Sequence, residues 1–149
     1  MIGRTMATYT HRAHLKYTAD QLFDLVADVE KYPEFIPWMI ATRVRRRTDK
    51  AIWTDLTVGT GFLRKQFSTI ARLDRPHGLA ISSHDPMFER FEQRWAFDQP
   101  AEGGTDIQYH VDFRFKSLLL QALMDVGFAD RASAIVIAYI QRARRLYGT

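Results

Sequence analysis

The C-terminal stretch of residues 117–148 constrains the fold more than any other part of this sequence. Ser117 suits the N-cap of a helix and Gly148 suits its C-terminal cap. Gly127 divides the stretch, and it either bends one helix or begins the main helix after a shorter first piece. Apolar residues after Gly127 recur at three- and four-residue spacing, so they form one broad face that must cover a large apolar surface. They are Phe128, Ala132, Ile135, Val136, Tyr139, Ile140, Ala143 and Leu146.

Seven stretches upstream are predicted as β-strands. The first and the last alternate cleanly between apolar and polar residues, which is the period of a strand with one buried face. The connections between the later strands are short and rich in turn residues, so neighbouring strands should pair antiparallel. The predicted strands cover residues 7–17, 40–48, 51–59, 63–74, 78–84, 89–98 and 106–115.

Two short helical pieces are predicted between the first and second strands. Thr18 and Gln21 have the spacing of a capping box, which opens a helix that continues to about Asp28. A second piece is predicted at residues 30–35, before Pro37 stops it. The predicted fold class is α+β: a curved seven-stranded antiparallel sheet gripping a long C-terminal helix, with two short helices after the first strand. We expect one domain over residues 1–149.

Composition narrows the class of protein. The chain has 46% hydrophobic and 26% charged residues, a formal net charge of +4 and no cysteine. Disulfides, thiolate metal sites and cysteine nucleophiles are therefore excluded. No apolar run reaches the length of a membrane-spanning helix, and the N-terminus lacks the apolar core of a secretory signal. We expect a cytoplasmic protein, with peripheral contact to the inner membrane allowed by its mild positive charge.

The alternation also predicts which side chains of the sheet point inward. Polar residues share this face with apolar ones, and an unpaired buried hydroxyl or amide costs about 1–3 kcal/mol. These polar groups therefore bond to nearby backbone, to internal water or to a polar group of a ligand. The inward apolar residues are Leu56, Val58, Phe67, Ala71, Leu73, Phe91, Trp95, Phe97, Tyr109, Val111 and Phe113, and the inward polar residues are Thr54, Thr69, Ser83 and Gln93.

Several segments resemble one protein family in the same order along the chain. Residues 32–38, Tyr-Pro-Glu-Phe-Ile-Pro-Trp, resemble the Tyr-Pro-x-Phe-Leu-Pro-Trp segment of the coenzyme Q-binding protein family. That family belongs to the START-like, helix-grip superfamily, which also includes polyketide cyclases. Residues 55–59, 67–69, 91–97, 111–119 and 142–148 continue the similarity, which covers nearly the whole chain. Met39 stands where members often have Cys, and residues 139–143 lack the glutamate of the family's Phe-Glu-x-Arg-Ala run.

The resemblance implies a non-enzymatic protein that holds an isoprenoid quinone (ubiquinone, or coenzyme Q) in a cavity between sheet and helix. Such a protein requires no cofactor and supports quinone delivery, respiratory electron transport or ubiquinone biosynthesis. Thr69, Gln93 and Tyr109 are the inward residues that could donate hydrogen bonds to the quinone carbonyls. Together with the alternation, the resemblance gives these ligand-binding candidates: Phe35, Trp38, Leu56, Val58, Phe67, Thr69, Phe91, Gln93, Trp95, Tyr109, Val111, Phe113, Phe128, Ile135 and Tyr139.

Two alternatives follow from the same resemblance. Bacterial members include toxins that block the association of ribosomal subunits, so a ribosome-associating inhibitor of translation is the main alternative. A polyketide cyclase or aromatase is the more distant one.

The residues themselves give little support to catalysis or to metal binding. The five histidines have no metal-ligand spacing, and His11 and His14, three apart on a strand, point to opposite faces. Residues 82–85, Ser-Ser-His-Asp, contain triad residue types, but neighbours on one strand cannot converge on a single nucleophile. We therefore expect no catalytic residue, no metal site and no enzymatic activity.

The second strand is strongly basic. Strict alternation places Arg43, Arg45 and Arg47 on one face of that strand and Arg46 on the other. These arginines either form a solvated sheet edge or contact anionic lipid headgroups or ribosomal RNA. For membrane contact, exposed apolar side chains within residues 35–39 would add to the arginines. Alternatively, Phe35 and Trp38 anchor the short helices to the sheet.

Overall fold

The computed structural model describes residues 7–60 and 63–149, so the predicted features of residues 1–6 lie outside the described part. The chain forms one sheet, two short helical segments after its first strand, and two C-terminal helices. In order, these are β1 (Ala7–Leu15), α1 (Ala19–Ala27), a 3-10 helix (Val29–Glu34), β2 (Met39–Arg47), β3 (Ala51–Thr60), β4 (Leu63–Asp74), β5 (Gly78–Ser82), β6 (Phe88–Asp98), β7 (Thr105–Phe115), α2 (Leu118–Asp125) and α3 (Phe128–Tyr147).

The sheet has the order β1-β7-β6-β5-β4-β3-β2, and every neighbouring pair is antiparallel. Strands β2 to β7 form a meander, and β1 closes on β7. Trp95 pairs with Leu79 on one side and with Tyr109 on the other, so the inward apolar residues stand side by side across the sheet. The structure confirms the predicted α+β class.

Several strands begin or end at the end of the sheet where α2 lies. Strand β2 begins with Met39 opposite Val58, near the end of β3. Strand β7 ends with Phe115 opposite Phe88, at the start of β6. Because α2 follows β7 after only two residues, it lies at this same end of the sheet. We call this region the α2 end.

The short helices form where the sequence predicts them. The Thr18 side chain accepts from the backbone N–H of Gln21, and the Gln21 side chain accepts from the N–H of Thr18, which completes the capping box. The second piece is a single 3-10 helix that contains Pro33 and buries Tyr32.

The predicted long C-terminal helix is two helices. Ser117 caps α2 by accepting a hydrogen bond of 3.1 Å from the backbone N–H of Leu120. Gly127 then adopts a left-handed conformation with φ of 68°, which a glycine accommodates without strain, and α3 begins after it. Of the two alternatives for Gly127, the structure shows the separate shorter first piece.

The prediction that Leu146 of α3 points inward is wrong. Leu146 is exposed, whereas Ala132, Val136, Tyr139 and Ala143 are buried as expected. Tyr147, four residues after Ala143, continues the buried face instead: its ring lies 5.9 Å from that of Tyr17, and its hydroxyl donates to the carbonyl of Gln21 at 3.0 Å. This face therefore attaches the end of α3 to α1.

Ala143 provides a test of how closely α3 must pack. Its side chain is completely buried, so a larger residue there has no free space. We expect Ala143→Leu to lower the free energy of unfolding by about 1–3 kcal/mol through overpacking. Ala129→Leu, an exposed position on the same helix, is the matched control and should leave stability nearly unchanged. Urea unfolding measures both, and equal stabilities of the two variants would contradict the packing described here.

Candidate functional site

Three aromatic side chains fill the space between the centre of the sheet and α3. The Trp95 ring lies 4.6 Å from Tyr109 and 4.8 Å from Tyr139, measured between ring centroids. A void beside Trp95 and Tyr139 has a volume of about 10 Å³, roughly the space of one water molecule. A quinone head does not fit in this void, so it is not the cavity that the resemblance implies. The void is lined by Leu15, Leu22, Leu25, Val26, Trp95, Phe97, Ile107, Tyr139 and Ile140.

The tyrosine hydroxyls of this interior are neutral and hydrogen-bonded. Burial raises the pKa values of Tyr32, Tyr109 and Tyr139 above the ordinary tyrosine value, so all three stay protonated at neutral pH. Tyr32 donates to the carbonyl of Val26 and also bonds to Tyr139. The side-chain amide of Gln93 donates to the Tyr109 hydroxyl at 3.0 Å.

The predicted inward polar residues find different partners. Thr69 donates to the backbone carbonyl of Thr54 at 3.5 Å, and Ser83 donates to that of Ser68 at 2.6 Å. The hydroxyl groups of these two residues therefore form their hydrogen bonds with nearby backbone, the first of the three possibilities that the sequence leaves open. Sequence reasoning missed Thr42, whose buried hydroxyl has no hydrogen-bond partner within the described residues. Thr42 lies opposite Leu56 in the register, on the inward side of β2.

The fifteen predicted ligand-binding residues separate by burial. Those at the centre of the sheet and on its helix-covered side are buried, whereas those toward its edge and α2 are partly open to solvent. The buried ones are Phe67, Thr69, Trp95, Tyr109, Val111, Phe113 and Tyr139. The partly exposed ones are Phe35, Trp38, Leu56, Val58, Phe91, Gln93, Phe128 and Ile135.

The partly exposed apolar side chains concentrate at the α2 end. Leu56 lies opposite Phe67, whose ring is 5.4 Å from Phe91, and Phe128 packs on Phe113 at 5.1 Å. We call five half-buried residues at this end the apolar mouth. They are Trp38, Leu56, Val58, Phe91 and Phe128.

A cluster of phenylalanine rings lies beneath the apolar mouth. Phe88 is central to it, because its ring centroid lies 5.0–5.1 Å from those of Phe67, Phe91 and Phe115. Phe115 in turn contacts Phe113 at 5.3 Å. This phenylalanine cluster is apolar and closely packed. It therefore provides a surface on which a hydrophobic molecule can lie, rather than a channel through the protein.

The predicted apolar membrane contact at residues 35–39 requires exposed side chains, and it is wrong for Ile36. Ile36 is buried, and the Phe35 ring packs edge-on against Tyr139 at 5.3 Å while the Arg142 guanidinium lies over it. Phe35 therefore acts as an anchor between the 3-10 helix and α3, which is the alternative given above. Trp38 is half-buried.

The arginines of β2 do not all point in the directions that strict alternation predicts. A register irregularity lies between Val44 and Arg46, so Arg46 points outward with Arg43 and Arg45, and Arg47 points the other way. Arg46 lies over the Trp53 ring at 4.9 Å, and Arg45 pairs with Asp55 at 2.9 Å. Arg47 instead reaches the α1 side and pairs with Glu30 at 2.5 Å.

Sequence reasoning also missed the outward face of α2. Gln121 is its one fully buried residue among those described, and it accepts from the backbone N–H of Phe115 at 2.7 Å. Most of the apolar side chains of this helix and its end point to solvent. The signal was present in the sequence, because so many apolar residues around an eight-residue helix exceed what one face can bury. The exposed ones are Leu118, Leu119, Leu123 and Val126.

Comparison with known proteins agrees with this architecture. The Zhui aromatase/cyclase from Streptomyces sp. R1128 superposes with a TM-score of 0.80 over 95% of this chain and 96% of that one, at 16% identity, which shows the fold alone. The ribosome association toxin RatA of Pseudomonas aeruginosa is 33% identical over 144 residues, 96% of this chain and 100% of the relative. A mitochondrial coenzyme Q-binding protein COQ10 homolog B of Xenopus laevis is 28% identical over 152 residues, 99% of this chain and 62% of the relative.

The family model described as polyketide cyclase / dehydrase and lipid transport matches residues 15–139, most of the chain. This match and the relatives above confirm the START-like resemblance drawn from the sequence segments. The chain belongs to the polyketide cyclase / dehydrase and lipid transport family.

Proposed function

We propose that this protein binds an isoprenoid quinone at the apolar mouth and carries it without catalysing a reaction. The observation that supports this is the set of half-buried apolar side chains on the inward face of the sheet, open to solvent at one end. Covering such a surface with an isoprenoid tail is favourable by roughly 0.8 kcal/mol for each methylene removed from water. The coenzyme Q-binding relative makes a quinone the natural choice among hydrophobic ligands.

The quinone head needs hydrogen-bond donors, because its carbonyl oxygens only accept. Gln93 is half-buried between the apolar mouth and the aromatic centre, and its amide already points at Tyr109. The unpartnered hydroxyl of Thr42 lies beside Leu56 on β2, four strands from Gln93, so it cannot bond to the same head. Thr69 already bonds to backbone. We therefore place the head near Gln93, with the tail along the apolar mouth.

Ile135 lies seven residues after Phe128 of the apolar mouth, on the same face of α3, so a charge there should block the tail. We expect Ile135→Lys to weaken quinone binding about tenfold or more, since a half-buried position becomes cationic while the long side chain can still reach solvent. Ile137→Lys, two residues away on an exposed face of α3, is the matched control and should bind normally. Quinone recovered by organic extraction and mass spectrometry measures retention. Equal retention by both variants, with both folded, would contradict this placement.

The head-group contact has a separate test. Gln93→Leu replaces the glutamine by a residue of similar size that has no amide donor. A short-tailed quinone should therefore bind roughly fivefold more weakly, which is the effect of losing one hydrogen bond. A plain isoprenoid alcohol should bind as before. Gln108→Leu, exposed on the other face of the sheet, is the control. Tryptophan fluorescence quenching gives both affinities, and an equal loss for the quinone and the alcohol would argue against a head-group role for Gln93.

A second candidate function is association with the ribosome. It is favoured by the full-length relative named a ribosome association toxin and by the exposed Arg43 and Arg46 on the outer face of β2. On this hypothesis, expression raises the ratio of free ribosomal subunits to monosomes in a sucrose gradient. Arg43→Glu/Arg46→Glu should abolish that rise, while Ile135→Lys should not. An unchanged gradient at high expression of the natural sequence would contradict this candidate.

A further inference from the structure

The outward side of α2 is apolar where a soluble helix ordinarily presents polar residues. Four side chains there are between 56% and 74% exposed. Asp125, the last residue, is the only charged residue within the helix. We call the exposed set the α2 patch, and it consists of Leu118, Leu119, Leu123 and Val126.

The fold holds this patch outward. On the inner side of α2, Leu120 and Met124 pack against the core. Gln121 accepts from the backbone N–H of Phe115 and donates to Asp125 at 3.0 Å, so its side chain ties α2 to the end of β7. The helix therefore cannot roll to bury its leucines without losing these contacts, and the patch is a fixed surface.

Further exposed groups at the α2 end extend this surface. Ile40 and Leu63 are exposed apolar residues at the starts of β2 and β4. Arg64 and Lys65 follow Leu63 in β4, are exposed, and pair with no acidic residue in the described part of the chain. Lys65 stands directly opposite Val58, so cationic groups border the apolar mouth. Apolar side chains flanked by cations are what an anionic lipid surface attracts.

The α2 patch by itself is too small for a stable interface with a second copy of the chain. An eight-residue helix is about 12 Å long and 10–12 Å wide, a footprint of roughly 120–140 Å². A stable protein interface needs about 800 Å² from each partner. A lipid surface has no such requirement, because a few side chains can insert between headgroups wherever they meet the membrane.

We propose that the α2 patch, together with Arg64 and Lys65, docks this protein on an anionic lipid bilayer. Docking in this way turns the apolar mouth toward the hydrocarbon, and this orientation rests on the function proposed above, in which a lipid-soluble quinone must enter and leave. The docking surface therefore differs from the one that the sequence predicts at residues 35–39 and the arginines of β2.

Vesicle flotation with the full chain tests the docking surface. The probes are vesicles of phosphatidylcholine alone and vesicles of phosphatidylcholine with about 30% phosphatidylglycerol. The second composition gives the vesicle a strong negative surface potential. We expect the natural sequence to float with the anionic vesicles. Leu119→Gln/Leu123→Gln should reduce its partition coefficient by about tenfold or more, since two leucines no longer leave water. Ile137→Gln/Leu146→Gln, at positions 48% and 52% exposed on α3, should float normally.

The electrostatic part has its own matched pair. Arg64→Gln/Lys65→Gln should reduce flotation about fivefold for each cation removed, and only with the anionic vesicles. Arg144→Gln/Arg145→Gln, which removes two exposed cations from the far end of α3, should leave flotation unchanged. The proposal is overturned if the natural sequence floats with neither vesicle, or if the test and control variants lose flotation equally.

A vesicle-free measurement separates this proposal from the function it rests on. Leu119→Gln/Leu123→Gln should bind a short-tailed quinone in solution with the same affinity as the natural sequence. Normal flotation without any quinone binding would overturn the proposed function and leave the docking surface standing. A dimer of the natural sequence in light scattering that the same leucine variant dissociates would overturn docking, because the patch would then be an interface between two copies.

Discussion

The rest of the structure depends on the contacts that Tyr139 makes at the middle of α3. Its ring lies 4.8 Å from Trp95 on the sheet, 5.3 Å from Phe35 and 5.6 Å from Tyr32 on the 3-10 helix. One side chain thus joins the sheet, α3 and the segment between α1 and β2. Aromatic side chains bury large areas, so this junction fills the centre of the described fold, with a small void beside it. Open apolar surface is consequently displaced toward the α2 end.

The turn at Gly127 determines what happens at that end. If α2 and α3 were one straight helix, the leucines of α2 would continue past the sheet along the same axis. The left-handed glycine instead redirects the chain, and α2 rests on the end of β7 through Gln121. On the inner side of α2, Leu120 and Met124 pack against the core and Gln121 bonds to β7, so this side holds only part of the apolar surface of the helix. Its other leucines therefore remain outward, beside the half-buried residues of the apolar mouth.

Much of this fold could be predicted from the sequence, because strand parity determines which way a side chain points. The pairs Trp95–Tyr109 and Phe91–Phe113 lie on the inward face as the alternation indicates. Strand parity does not determine how deeply a side chain is buried. Leu56 and Phe67 share the inward face, but Leu56 is half-buried and Phe67 is buried. The covering helix does not extend equally over all strands. The depth of a site residue depends on packing between distant parts of the chain, which no local pattern contains.

The basic strand shows a second limit of local patterns. One extra residue between Val44 and Arg46 reverses the parity after it, and nothing in a run of three arginines indicates where such an irregularity falls.

Pairing then changes what these charges can do. Arg45 is held by Asp55 and Arg47 by Glu30, so each already has an anionic partner within the protein and offers less to an external one. The positions of unpaired cations, rather than the number of arginines in a segment, determine how the protein orients toward an anionic surface. By this criterion, the electrostatic contribution of Arg64 and Lys65 reinforces the apolar surface beside them, because both attract the same partner from the same direction.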